Sequence, residues 1–246
     1  MALLDDYYKD YISLWNNIRK DFVGQLVSDT STNYLLKRDS PGNYQIPYIE
    51  ISEKLYKESP LLIVGMNPSG ADVAFYDNNA EVVIYRGKSQ YYEAMKSFSY
   101  ECLKDIEEGV CMEEDAEGKY SELDLFGIVQ GGQKFVEKHL YRNTNKYEKM
   151  LHMFLNYVVN TSPKVVIVAN AFASKILKKT ATKLRLSVYD RYNITPNEQF
   201  GGYDINIDNK KNFHVYFSTM LSGGHLDIGS RENLVWLVRN YLKNNP

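Results

Sequence analysis

The residues best placed to do chemistry lie where glycine and proline cut short an apolar run. Leu61-Leu62-Ile63-Val64 is followed directly by Gly65-Met66-Asn67-Pro68-Ser69-Gly70. Glycine and proline at such a point enforce a turn and let another molecule come close to the backbone. In open α/β sheets, ligands bind just beyond the carboxyl ends of the strands. Asn67, an amide that both donates and accepts, is therefore a candidate site residue. The alternative is a turn residue whose side chain caps its own backbone. A second glycine-rich loop, Met220-Leu221-Ser222-Gly223-Gly224-His225, follows the apolar run Phe213–Ser218. His225 is one of 4 histidines and a candidate site residue; the alternative is an exposed loop histidine.

Those positions need strands to carry them. Four apolar residues in a row, two of them β-branched, predict a strand at 61–65 buried on both faces, as in a parallel sheet. Leu123–Val129 reads as a second core strand, Pro163–Asn170 as a third and Phe213–Ser218 as a fourth. Helical spacing predicts helices over 5–27, from Ser89 through Lys104, over 148–160, over Ala171–Lys179, and from a cap at Ser230 to about Lys243. Asn170 is expected to cap the helix at Ala171. A short strand is expected at Glu81–Tyr85. Residues 107–122 read as an acidic exposed loop, and 193–203 as another loop. Strands alternating with helices predict a three-layer α/β/α sandwich around a mostly parallel sheet. Without a linker, repeat or low-complexity tract, one domain spans 1–246, with a helical extension over about 1–55.

Composition removes several classes of function. Two cysteines, Cys102 and Cys111, cannot supply the thiolates of an iron–sulfur cluster or a cysteine-rich zinc site. No cofactor and no metal are expected. A net charge of −2 argues against a dedicated, sequence-independent nucleic-acid binder. The positive stretch Lys134, Lys138, His139, Arg142, Lys146 and Lys149 is diluted by Glu137 and Glu148, and reads as a solvated face. No apolar run approaches the roughly 20 residues of a membrane helix, and no signal peptide is legible. No membrane is implied, and a soluble, cytoplasmic protein is expected. Nor does the chain contain a Gly-x-Ser-x-Gly elbow, a phosphate-binding Gly-Lys-Ser/Thr loop or a dinucleotide glycine fingerprint. Its 21 tyrosines are rigid and amphipathic, suited to lining a binding surface.

The strand and Gly-Met-Asn-Pro turn at 61–70 resemble the first motif of the uracil-DNA glycosylase superfamily. The likeness is nearest to its mismatch-specific and single-strand-selective branches. Val165–Ser174 is similar to that family's third core strand and following helix, and Met220–Gly223 falls where its second motif stands. Ser89-Gln90-Tyr91-Tyr92 sits where the mismatch-specific branch starts a helix. The resemblance implies a uracil-DNA glycosylase-like fold and hydrolysis of the N-glycosidic bond of a deaminated or damaged base. On it, Asn67 would hold the attacking water and Phe75 or Tyr76 would stack on the flipped base. Gly65, Met66, Pro68 and Ser69 would line the turn, with Ser222, Gly223 and His225 on the leaving-group side. The partner it implies is DNA, or a nucleobase or nucleotide.

The second motif departs from the family. Met220 stands where a histidine or asparagine is expected, Leu221 where a proline is, and Gly224 where a wedging side chain is. His225 could replace the missing donor. Two readings follow: an enzyme that excises a base, or a relative that binds a base, nucleotide or nucleic acid without turnover. A third is an unrelated α/β hydrolase or transferase.

Overall fold

The computed structural model describes residues 9–10, 13–14, 49–52, 56, 59–66, 82–85, 90–127, 133–221 and 225–245. Its strands, in order, are β1 (Ile49–Ser52), β2 (Leu61–Gly65), β3 (Val82–Tyr85), β4 (Tyr120–Asp124), β5 (Val165–Ala169), β6 (Tyr192–Pro196), β7 (Tyr203–Ile207) and β8 (Lys211–Ser218). The helices are α1 (Gln90–Leu103), α2 (Gln133–Arg142), α3 (Thr144–Thr161), α4 (Ala171–Leu177) and α5 (Ile228–Asn244). Residues 9–10 and 13–14 are helical, as expected for that stretch. No described helix is long and apolar enough to cross a membrane.

The apolar runs become what their composition requires. Every residue of β2 and of β5 is buried, and each fully buried Leu, Ile or Val is worth about 1.5–3 kcal/mol of transfer free energy. Six strands form one sheet in the order β4-β2-β5-β8-β7-β6. The first four run parallel, and β7 and β6 extend the sheet antiparallel. Alternate side chains go to opposite layers. Leu61, Ile63, Val165 and Ile167 pack under α1 and α5, through Met95, Phe98, Leu234 and Val238. Leu62, Val64, Val166 and Val168 pack under α2, α3 and α4, through Leu140, Phe154 and Ile176. This is the α/β/α arrangement the strand–helix alternation predicts.

Several expectations need correction. The second core strand is Tyr120–Asp124, not Leu123–Val129. The apolar string at 123–129 drew the reading forward, whereas backbone pairing with β2 selects Tyr-Ser-Glu-Leu-Asp. The stretch 107–122 is accordingly not all exposed loop: Val110, Ala116, Tyr120, Ser121 and Glu122 are buried. The loop expected at 193–203 contains β6 and the start of β7, whose alternation of Asn and Thr with Ile hides a one-sided strand. Helix α2 takes up residues expected to follow a strand. Ile49–Ser52 is a strand within the stretch expected to be helical, and it pairs with β3 in a separate small sheet. The cap of α5 is Asp227, whose carboxylate accepts from Ser230 N at 3.0 Å, so Ser230 lies inside the helix.

The antiparallel extension is held by a buried polar group. His214 of β8 is fully buried, with Nδ1 2.7 Å from Asp204 Oδ1 and its ring stacked on Tyr241 at 4.2 Å. Burial pushes its pKa below the ordinary 6.5, against the upward pull of Asp204 and the Gly201 carbonyl. The unfolded chain thus takes up this proton near pH 6.5, and the folded chain only at lower pH. Stability is complete above pH 6.5 and falls as pH drops through the window below it. Denaturant midpoints measured from about pH 7.5 to 5 should fall below pH 6.5, and fall less in His214→Gln. His152, lowered by burial and by Arg191, keeps part of the slope. A slope unchanged in His214→Gln would place the proton uptake elsewhere.

Candidate functional site

The carboxyl ends of the parallel strands form one row. Asp124 pairs with Gly65 and Ala169 pairs with Ser218, while Gly65 and Ala169 each stand one residue past the Val64–Val168 pair. The chain order places β4 and β5 on opposite sides of β2, so the crevice where the winding reverses opens between β2 and β5. Strand β2 ends at that point with Gly65, followed by Met66. Beyond β4, Leu125 N donates to Gly65 O at 3.1 Å and Phe126 N to Met66 O at 3.0 Å. These bonds fix the start of the turn, and Met66 is buried.

Gly65 is glycine because two side chains close on it. A Cβ there would lie 2.1 Å from Asp124 Oδ1 and 3.1 Å from the Tyr91 hydroxyl. Tyr91 comes from the first turn of α1. Its phenol is held well above the usual range by burial first, then by the charges of Asp124 and Glu122. It therefore stays protonated and keeps a donor beside a carboxylate. Glu122 lies two residues before Asp124, on the same strand face, and is buried. The edge of the sheet beside the turn thus offers a phenol donor and a carboxylate acceptor.

On the other side, Asn170 behaves as its position predicts. Its Oδ1 accepts from Phe172 N at 2.9 Å and Ala173 N at 3.0 Å, capping α4. After β8, Thr219 Oγ1 donates to His225 O at 3.1 Å, folding that loop back on itself. Leu221 is buried, Met220 half-buried and His225 exposed. Since β5 separates β2 from β8, the two edges stand two strand spacings apart, about 10 Å.

Of the residues singled out from sequence, Gly65, Met66 and His225 lie at this carboxyl edge. Asn67, Pro68, Ser69, Phe75, Tyr76, Ser222 and Gly223 fall outside the described residues. The basic stretch falls across α2 and α3. Sequence reasoning missed Asp124 and Tyr91 as neighbours of the turn. No local signal marked them: the Asp124 carboxylate reaches the edge because β4 ends there, a boundary set by pairing with β2. Cys102 is buried, and burial pushes its thiol far up, so it is no nucleophile. Among the described residues no three His, Cys, Asp or Glu side chains group as metal ligands. No family model matches the chain, and no curated protein matches it.

Proposed function

We propose that the chain is a uracil-DNA glycosylase-like hydrolase that cleaves the N-glycosidic bond of a deaminated or damaged base in DNA. The observation that carries this reading is where Gly65 and Met66, the first residues of the Gly-Met-Asn-Pro motif, sit. Strand β2 ends there, buried and central, at the point where the parallel winding reverses. A base leaves through an oxocarbenium-like state, so a water must be held below the sugar and the departing anion stabilised. Asn67 holds that water; as an amide it orients the nucleophile and takes little of its proton. Phe75 or Tyr76 stacks on the flipped base. Asp124 and Tyr91, an acceptor and a donor beside Gly65, meet a polar edge of the base, and His225 stands on the leaving-group side.

The second reading, binding without turnover, draws on the other loop. Met220 offers no donor where one is needed, and the His225 side chain is exposed. One assay separates the two. Protein in excess over labelled DNA carrying uracil, opposite guanine or in a single strand, is followed through one turnover at low salt. Abasic sites should form, and Asn67→Ala should slow their formation by about tenfold or more, with His225→Ala run beside it. Retention of the uracil strand with no abasic product would favour the binding reading. Neither retention nor product would end both.

A further inference from the structure

A second polar surface lies toward the amino end of β8, about 20 Å along that strand from Ser218. Strand register builds it. Asn193 pairs with Asn206, and Asn206 with Asn212; one step along, Thr195 pairs with Asp204, and Asp204 with His214. Alternation sets these as two rows of three on one face, while Ile205, Ile207 and Phe213 enter the core on the other. Tyr241 and Asn245, at the end of α5, rise beside the rows, and Phe200 closes one side. The half-open cleft measures about 410 Å³.

Two properties separate this face from an ordinary solvated one. Its side chains are held in place by one another: Asn197 Nδ2 donates to Asp204 Oδ2 at 2.8 Å, and Asn206 Nδ2 donates to Asn212 Oδ1. Asn197 Oδ1 in turn accepts from Phe200 N at 2.9 Å. Polar groups already oriented lose little entropy on meeting a ligand. Asn206 Oδ1 is also buried and finds no donor among the described residues. The charge is equally informative. Among the described residues no lysine or arginine lines the cleft, and Asp204 is the one carboxylate that does, so phosphates and other anions are repelled.

The geometry points to a binding site for a neutral, hydroxyl-rich ring of monosaccharide size. Each asparagine sets an N–H donor beside a C=O acceptor, and Asp204 adds acceptor oxygens. That is the complement of neighbouring hydroxyls, which donate and accept alternately. The rings of Phe200 and Tyr241, 5.3 Å apart and edge to face, give apolar contact to the C–H surface of such a ring. A nucleic-acid strand is the poorer fit, because its phosphates would face Asp204.

The test is a titration of the full ¹⁵N-labelled chain with glucose, galactose, mannose and N-acetylglucosamine, with glucuronate as the anionic comparison. The signals to follow are the side-chain amides of Asn193, Asn197, Asn206 and Asn212. At least one neutral sugar should shift them saturably, and glucuronate should bind at least about tenfold more weakly. Asn193→Ala, at an exposed position on the edge strand, should weaken the neutral sugar by about tenfold with unchanged melting. Asn212→Ala provides a second such variant. No saturable shift with any neutral sugar would overturn the assignment, as would glucuronate binding equally well or both variants retaining parental affinity.

Discussion

Gly65→Ala should destabilise the fold by about 1–3 kcal/mol and displace the carboxylate beside the candidate site. The added methyl would stand 2.1 Å from Asp124 Oδ1 and 3.1 Å from the Tyr91 hydroxyl. β2 cannot retreat, because β4 and β5 pair with it on both sides. Asp124 must therefore swing away from the turn. If that is the whole cause, removing the obstacle restores room. Gly65→Ala combined with Asp124→Ala should cost clearly less than the two single losses added together. Denaturant midpoints for the four proteins give the coupling directly. Strict additivity would mean that the methyl finds its space without Asp124, and the contact argument would fail. In the single-turnover assay, Gly65→Ala should lose cleavage even in conditions where it remains folded, because the start of the turn has moved.

Gly202→Ala should be the more damaging change, at about 2–5 kcal/mol, the sum of a left-handed backbone penalty and overpacking. Gly202 has φ +70°, and a Cβ there would lie 2.7 Å from the Val215 carbonyl oxygen and 2.8 Å from the Tyr216 ring. The first obstacle is backbone in the middle of β8 and cannot turn aside. Gly201 supplies the control. It has the same φ of +70°, but its Cβ would meet only Leu237 Cδ2, at 3.5 Å. Gly201→Ala should therefore lose only the backbone share, about 1–2 kcal/mol. Equal midpoints for the two variants would show that contact with β8 contributes nothing. Because Gly202 precedes β7, its replacement should also disturb the amide-lined cleft, whereas Gly201→Ala should leave it closer to the parent.

The parts of this fold legible in sequence were those where a run of apolar residues has no alternative to complete burial. Leu61–Val64 and Val165–Val168 could only be central strands, and Asn170 before Ala171 could only cap. What escaped reading depended on partners far along the chain. Tyr120–Asp124 carries a glutamate and an aspartate, and is a strand because β2 offers it backbone partners and α1 covers its face. Tyr192–Pro196 is a strand because β7 and β8 make a sheet edge for it. The same reason hid half of the candidate site. Asn67 announced itself by the glycine and proline around it. Asp124 and Tyr91 reach Gly65 only through a strand register and a helix crossing that no local pattern encodes.

The parallel core has a consequence for how the chain is made. Leu61 is translated long before Val165, one of its two strand partners, and long-range parallel pairing is intrinsically slow. The layer that shields Leu61 and Ile63 is completed by Leu234 and Val238 of α5, which follow β2 by more than half of the sequence. Arg239 then clasps α1, donating to the Glu101 carbonyl at 2.9 Å. Strand β2 is thus sealed by a helix translated long after it. A nascent chain paused before Ile228 holds a bare β-branched surface, the kind of intermediate that chaperones bind and that otherwise aggregates.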